Sequence, residues 1–421
     1  MSSMERYKEY KDSGVQWLGE IPSHWEQKKM KYCFRERSEK NHPDEPILCA
    51  TQSQGVIPQS MYANRVVVVN KGFEGLKLVK EGDFVISLRS FEGGIEYAYY
   101  QGIISAAYTV LEPNNCNESK YWKFLFKSQP FIQLLQTCVT GIREGQNINY
   151  PLLSRKLIPV PPLAEQEKIV SYIDSKTSKI EAYVAERERE LRLLSELKES
   201  EIAKVVTQGI NPNVKMKDSG VPWIGMIPEH WNIRRLSQVC YEHYVSNKEV
   251  HHQNLLSLSY GRIIRKDINT TEGLLPASFD TYQIVEDGNI VMRLTDLQND
   301  HKSLRVGLVK EKGIITSAYV CLGVNKGVVP AYLYNVLHSY DIKKLFYSMG
   351  GGLRQNLNWQ GLKKLDVPIP PIEEQRAIVA YIDEKTAKIE SLISELQSEI
   401  DYLKEYKQRL IADCVTGKVK V

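Results

Sequence analysis

Side chains able to catalyse a reaction do not form any familiar catalytic pattern in this sequence. The chain has no Walker phosphate loop, no GxGxxG after a predicted strand, no HExxH and no GxSxG. His251-His252 has no carboxylate or cysteine at ligand spacing, and the glycine run at 350–352 lacks the lysine of a phosphate loop. The sequence therefore predicts a chain that is not an enzyme by itself.

Binding chemistry is easier to recognise, because planar polar side chains gather in loops. Two examples are LRSFEGGIEYAYYQG, which contains Arg89, and LTDLQNDHKSLRVG, which contains Arg293. Arg, Gln and Asn can each make paired hydrogen bonds to base edges in the DNA major groove, worth about 1–3 kcal/mol of discrimination per good pair. The alternative for any one of these residues is a solvated turn position.

A second pair of loops carries the same residue types, TGIREGQNINYPLL in the first half and GGGLRQNLNWQGL in the second. Both loops precede a Pro-Pro pair, and alignment from those prolines superimposes Gln-Asn on Gln-Asn. Helix capping and loop bracing are equally open explanations for these side chains. The candidate base- or phosphate-contacting residues are Arg89, Arg143, Gln146, Asn147, Arg293, Arg354, Gln355 and Asn356.

The elements that position these loops are recognised from an internal repeat. PPLAEQEKIVSYIDSKTSKIE, starting at Pro161, returns as PPIEEQRAIVAYIDEKTAKIE, starting at Pro370. A proline pair cannot lie inside a helix, and strong helix formers follow it without Gly or Pro. Each copy therefore predicts the start of a long helix.

Apolar residues recur along both predicted helices at alternating steps of four and three, which is typical of a coiled-coil seam. Charged residues replace the apolar ones at Arg187, Lys198 and Lys407. The predicted seam consists of Ile173, Ile180, Val184, Leu191 and Leu194 in the first copy, and of Ile382, Ile389, Ile393, Leu396, Ile400 and Leu403 in the second.

The segments before each helix are also duplicated, since KDSGVQWLGEIPSHW is followed later by KDSGVPWIGMIPEHW. Short β-branched runs at 65–69, 84–88, 290–294 and 314–320 predict strands, and 121–136 and 332–346 predict helices. We expect an α+β chain with two pseudo-repeated β-rich domains and two long helices. The boundaries are 1–160, 161–208, 209–369 and 370–421.

Composition sets broad limits on the kind of protein. Hydrophobic residues make up 42% and charged residues 25% of 421 residues, with a net charge of +4, which is ordinary for a globular protein. The seven cysteines include no CxxC, so reduced core residues are expected rather than disulfides or zinc. No apolar run is long enough to span a bilayer, and the N-terminal segment lacks the apolar core of a signal peptide. A cytoplasmic location is expected.

The duplicated KDSGVxWxGxIPxHW opening, the repeated PPxxEQ and YIDxKTxKIE segments and the two diverged domains resemble the specificity subunit of type I restriction–modification systems. The resemblance covers nearly the whole chain. It implies that Pro161, Pro162, Glu165 and Gln166, like Pro370, Pro371, Glu374 and Gln375, are helix starts. It also implies two target recognition domains separated by an antiparallel coiled coil of the two helices.

The same resemblance implies partners rather than cofactors in this chain. The family binds double-stranded DNA and recruits two modification subunits, which hold S-adenosylmethionine and methylate adenine; motor-nuclease restriction subunits can join the complex. Two other classes compete with this interpretation. One is a coiled-coil adaptor that binds proteins without DNA specificity, and the other is a lone nuclease or methyltransferase.

Overall fold

The computed structural model of the chain describes residues 5–63, 72–115, 119–140, 147–249, 252–268, 278–297, 304–349 and 356–421. Two compact units are present. Unit 1 comprises residues 1–188 and 398–421, and unit 2 comprises residues 189–397. Each unit contains one β-rich domain and a half of each long helix. The boundaries predicted from the sequence separate the β-rich domains from the long helices, whereas the two units are defined by compactness. Those boundaries stay predictions.

The β-rich domain of unit 1 is built from short strands and short helices. The strands are β1 Tyr10–Asp12, β2 Glu20–Pro22, β3 Glu26–Lys29, β4 Phe34–Arg37, β5 Leu48–Thr51, β6 Gly55–Pro58, β7 Lys77–Val79, β8 Phe84–Ile86, β9 Glu96–Tyr97, β10 Gly102–Ile104, β11 Thr109–Pro113, β12 Val139–Thr140, β13 Asn147–Ile148 and β14 Leu157–Val160. The helices are α1 Ser90–Gly93, α2 Ser119–Leu125, α3 Gln129–Gln136 and α4 Tyr150–Leu153. The first long helix, α5, follows at Leu163–Gln208.

Unit 2 follows a similar order with fewer described strands and short helices. Its strands are β15 Met216–Asp218, β16 Met226–Pro228, β17 Asn232–Arg235, β18 Cys240–Glu242, β19 Leu256–Ser259, β20 Arg262–Arg265, β21 Gln283–Val285, β22 Ile290–Met292, β23 Val306–Leu308, β24 Gly313–Ile315, β25 Val320–Val324 and β26 Asp366–Ile369. Its helices are α6 Leu236–Val239, α7 Pro330–Ile342 and α8 Trp359–Leu362. The second long helix, α9, is Ile372–Val415.

The same antiparallel sheet organises both domains. Unit 1 contains a four-stranded sheet in the order β4-β11-β8-β9, and unit 2 contains β18-β25-β22-β23. In each domain an early strand pairs with the strand that leads into the long helix, as β3 with β14 and β17 with β26. These separate two-stranded pairs therefore tie each domain to the start of a long helix.

Several predicted elements are shorter than expected from the sequence. The predicted strand 84–88 ends at Ile86, and 290–294 ends at Met292. The run 314–320 was wrongly predicted as one strand, because the chain turns at Thr316, whose hydroxyl oxygen accepts a hydrogen bond from Ala318 N. The predicted strand 65–69 lies outside the described residues.

The two predicted short helices also differ from expectation. The helix predicted at 121–136 is wrong as a single element, because Pro130 cannot donate the backbone hydrogen bond that would carry α2 into α3. The helix predicted at 332–346 ends as α7 at Ile342, since Lys344 adopts a left-handed conformation with φ 59°. A short 3₁₀ turn follows at Leu345–Ser348.

Within each unit the two long helices run antiparallel. In unit 1 the Tyr183 hydroxyl donates to the Glu399 carboxylate at 2.9 Å, and Lys404 pairs with Glu188 at 2.9 Å. In unit 2 Lys198 pairs with Glu390 at 2.5 Å, and the Tyr381 hydroxyl donates to Glu201 at 2.6 Å.

The side chains predicted to form the seam are all at least partly removed from solvent, and the seam itself stays a prediction. Ile173, Ile382 and Ile400 are buried, and the other predicted seam residues are half-buried. The two lysines at predicted seam positions pair with the facing helix. Lys198 reaches Glu390, and Lys407 reaches Glu181, so each lysine on the seam is matched by a glutamate of the facing helix.

Each domain contacts both long helices. The domain of unit 1 leads into α5 and packs against the C-terminal end of α9, and the domain of unit 2 leads into α9 and packs against the C-terminal end of α5. The buried Tyr121 hydroxyl donates to Val415 O at 2.7 Å in unit 1, and the Tyr332 hydroxyl donates to Val206 O at 3.1 Å in unit 2. In unit 1 the last residues also reach the first strands, because Lys418 Nζ donates to Leu18 O at 3.0 Å. The end of α9 is therefore part of the unit 1 core.

The described cysteines are buried and form no disulfides among themselves; they are Cys33, Cys49, Cys138, Cys240, Cys321 and Cys414. Cys116 lies outside the described residues. None of the helices in the described ranges has a stretch apolar and long enough to cross a bilayer.

Candidate nucleic-acid interface

A duplicated hydrogen-bond cluster joins each domain to the start of its helix. In unit 1 the Glu165 carboxylate accepts from Trp25 Nε1 at 2.9 Å, from His24 Nε2 at 2.6 Å and from the Tyr7 hydroxyl at 3.1 Å. Burial alone would raise the pKa of Glu165, but the hydrogen bonds from Trp25 and His24 outweigh it and hold that pKa below its usual range.

Unit 2 repeats the cluster with equivalent residues. Glu374 accepts from Trp231 Nε1 at 2.7 Å and from His230 Nε2 at 2.6 Å. Both tryptophans are fully buried, so each glutamate satisfies an indole N–H that has left water. The sequence pattern predicted these glutamates only as helix starts. The signal that reveals their role is the joint repetition of His-Trp and PPxxEQ.

The glutamine of each PPxxEQ segment holds the turn that precedes the helix. Gln166 Nε2 donates to Pro161 O at 2.9 Å, and Gln375 Nε2 donates to Pro370 O at 2.9 Å. Both glutamines are buried. These bonds and the glutamate clusters attach each domain firmly to a long helix. A binding surface needs such rigid support.

The first candidate loop, residues 87–94, lies between β8 and β9 in unit 1. Arg89 is exposed, and its guanidinium makes no ion pair with another of the described residues. The α1 segment of this loop lies beside β13, which begins at Asn147. Asn147 is also exposed. The structure therefore brings Arg89 and Asn147, predicted from separate segments, to one edge of the domain.

The second candidate loop, residues 293–297, occupies the corresponding place between β22 and β23 in unit 2. Asn356 Oδ1 accepts from Asp296 N at 2.8 Å, and Leu357 N donates to Leu294 O at 2.9 Å. Arg293 is half-buried. The structure thus brings Arg293 and Asn356 together, and it gives the Asn356 carbonyl a loop-bracing contact.

Four candidates remain. Arg143, Gln146, Arg354 and Gln355 lie outside the described residues. The asparagines that follow them are helix caps, because Asn149 Oδ1 accepts from Leu152 N at 3.0 Å and Asn358 Oδ1 accepts from Gly361 N at 3.2 Å. Part of the similarity between the two loops is therefore due to helix capping rather than to DNA binding.

A buried acid lies under the first loop. Glu96 is 2% exposed, and Lys127 Nζ lies 2.5 Å from its Oε1. The same ammonium donates to Gly93 O at 2.9 Å and to Gln52 O at 3.2 Å. Burial raises the pKa of Glu96 to about 7, and the pairing with Lys127 opposes that rise without cancelling it.

We expect Glu96 to make unit 1 less stable as the pH rises. The folded pKa of about 7 exceeds the ordinary 4.5, so the folded state holds the extra proton between those values. The stabilisation is complete below pH 4.5 and is lost as the pH rises through 7, by up to about 3 kcal/mol. Urea unfolding of unit 1 at pH 5 and pH 8 should reveal this slope, and Glu96→Gln should remove it. An identical slope in the variant would contradict the assignment.

Comparisons with known proteins agree with this geometry. The family model of the type I restriction modification DNA specificity domain matches residues 18–190 and 281–402. The MjaVIII specificity subunit of Methanocaldococcus jannaschii is 23% identical over 82% of this chain and 80% of its own. The EcoBI specificity subunit of Escherichia coli is 22% identical over 72% of this chain and 67% of its own.

The fold has a solved counterpart. A chain from a study of complex assembly and conformational transition in a type I R-M system superimposes with a TM-score of 0.68 at 16% identity, covering 94% of this chain and 98% of that one. At this identity the comparison shows the fold alone.

Two domains of one topology, with different side chains in corresponding loops and each joined to a long helix, are typical of a protein that presents two related binding surfaces. The chain belongs to the type I restriction–modification DNA specificity family, since the family model matches more than half of it. It is a non-catalytic specificity subunit, and neither the adaptor nor the lone-enzyme interpretation is favoured.

Proposed function

We propose that the chain reads a bipartite DNA site, with one half-site read by the domain of residues 1–160 and the other by the domain of residues 209–369. The observation that carries this proposal is the equivalence of the two loops. Each lies between corresponding strands of equivalent sheets, yet residues 87–94 read SLRSFEGG whereas residues 293–297 read RLTDL. Equal frames with unequal side chains favour two different half-sites.

Phosphate contacts contribute affinity beside the base contacts. Arg89 is exposed and has no carboxylate partner among the described residues, so it is available to an anion. Neutralising phosphates releases counterions, and binding should therefore weaken steeply with added salt. An adaptor that binds proteins through its helices would not show this salt-dependent affinity for DNA.

The repeat also supports the partner stoichiometry. Each domain meets its helix start through the same Glu–His–Trp cluster, so the chain offers two equivalent attachment regions. Two modification subunits fit this duplication, and S-adenosylmethionine belongs to those subunits. Restriction subunits join the same assembly when present. We place the complex in the cytoplasm, where chromosomal DNA is accessible.

Exchange of one domain tests the division of labour. Residues 209–369 are replaced by the equivalent domain of a relative, and methylated sites are mapped in cells that carry the modification subunits. The half-site assigned to the second domain should change, while the other stays the same. The reciprocal exchange of residues 1–160 serves as the matched control. Alteration of both half-sites by either exchange would refute the assignment.

A further inference from the structure

A fully buried arginine lies beneath the second loop. Arg305, immediately before β23, is 0% exposed, and its guanidinium donates to three backbone carbonyls of the loop. Nη1 donates to Arg293 O at 3.1 Å and to Thr295 O at 2.8 Å, and Nη2 donates to Asp296 O at 3.3 Å. One rigid guanidinium thus holds the backbone of residues 293–296.

The rest of the arginine environment keeps the guanidinium in place. Arg305 Nε donates to the Tyr347 hydroxyl at 3.1 Å, and the guanidinium lies 5.2 Å from the centre of the Tyr347 ring. The fully buried Asp341, on α7, accepts a hydrogen bond from Arg305 N. A cation with these fixed partners has one orientation.

The loop itself is held in a conformation that it would not adopt freely. Asp296 has φ 56°, in the left-handed region that is costly for most side chains. Leu294 and Leu297 are buried on the inner side, whereas Arg293 and Thr295 are half-buried. The carbonyl bonds from Arg305 therefore offset the strain at Asp296 and determine which side chains the loop presents.

Unit 1 has an equivalent device with the charges exchanged. Beneath the first loop the acid, Glu96, comes from the fourth strand of the sheet, and the base, Lys127, comes from the segment after α2. Beneath the second loop the base, Arg305, precedes the fourth strand, and the acid, Asp341, lies on the helix. In both cases the cation donates to the loop backbone: the fully buried Arg305 reaches three loop carbonyls, and the half-buried Lys127 reaches Gly93 O.

A buried charge such as that of Arg305 adds little to the free energy of unfolding, because the cost of its desolvation offsets its favourable contacts. Its benefit is a single backbone conformation. Resting on the proposed reading of DNA, we propose that Arg305 and Lys127 are positioning residues that set the base specificity of the second and first loops, without contacting DNA themselves.

The test uses the full chain assembled with its methyltransferase subunits. Duplexes carry the site that this complex methylates, or the same site with one base changed in either half. The measured quantity is the discrimination ratio, the affinity for the correct duplex divided by that for the changed duplex. Partial loss of structure lowers both affinities together, so the ratio reports loop geometry rather than stability.

Arg305→Lys keeps the charge but cannot reach three carbonyls with one nitrogen. We expect the ratio at the second half-site to fall by about tenfold, with the ratio at the first half-site unchanged. The double variant Glu96→Gln/Lys127→Met should reverse this pattern. Tyr347→Phe removes only one partner of Arg305 and should lower the discrimination ratio at the second half-site by less. It replaces Arg305→Lys in the test if that variant does not fold. Lys312→Met, which removes an exposed cation of unit 2, is the matched control.

Three results would decide the matter against the proposal. Equal losses of affinity for all duplexes, with unchanged ratios, would make Arg305 merely structural. A change at both half-sites from either variant would rule out loop-by-loop positioning. If the unaltered complex itself showed no discrimination at either half-site, the proposed function would fail, and this inference would fall with it.

Discussion

Replacing Glu165 with alanine should lower the free energy of unfolding of unit 1 by about 3 kcal/mol at pH 7. The substitution removes the acceptor of Trp25 Nε1, His24 Nε2 and the Tyr7 hydroxyl, and hydrogen bonds to charged groups contribute about 1.5–3 kcal/mol each. The indole N–H is then left buried without its acceptor. Urea denaturation, with hydrogen exchange to localise the unfolding, measures the effect.

The matched control is Glu167→Ala, an exposed glutamate two residues further along α5, which should change stability by no more than about 0.5 kcal/mol. The pKa of Glu165 lies below its ordinary value, so its stabilisation is complete above pH 4.5 and is lost as the pH falls. The difference between wild type and Glu165→Ala should therefore narrow in acid. A variant as stable as Glu167→Ala at pH 7 would show that the cluster contributes nothing.

Lengthening both helices by one heptad should lengthen the non-specific gap between the half-sites by about one to three base pairs. The insertion repeats residues 188–194 after Leu194 and residues 394–400 after Ile393, which keeps the alternation of four and three along both seams. Seven residues add about 10 Å of helix, and a base pair occupies about 3.4 Å. Methylome sequencing reads both the half-sites and the gap.

The inserted length also rotates one half-site by roughly a third of a helical turn of DNA, so weaker binding is compatible with the prediction. The informative control is the same insertion in α5 alone, which leaves α9 without matching residues and should abolish methylation. Full activity with the original gap in the double insertion would mean that the helices do not set the spacing.

Repetition is the reason that the sequence predicted the architecture. Period, proline pairs and residue identity all pointed to the same two helices, and α5 and α9 begin within two residues of Pro162 and Pro371. Agreement between independent signals makes such predictions reliable. A single local signal was weaker, as the broken helix at Pro130 demonstrates.

The buried braces under the loops were not predictable by the same means. Arg305 stands in an apolar run, and its functional counterpart in the other half is Lys127, on a different element. Alignment of the two halves does not match Arg305 with Lys127, because the basic and acidic residues lie on exchanged elements. The bracing contact of Asn356 depends on Asp296, 60 residues away, and no local pattern reveals such a contact.

The packing of α9 against the first domain has a consequence for synthesis on the ribosome. Leu410, Cys414 and Val415 belong to the core of unit 1, and Tyr121 needs Val415 O as its acceptor. Unit 2, by contrast, is one continuous stretch of chain. The first domain leaves the ribosome before unit 2 but is completed after it, because its apolar surface stays exposed until residues 410–415 have been synthesised. During that interval it is the part of the nascent chain most in need of a chaperone.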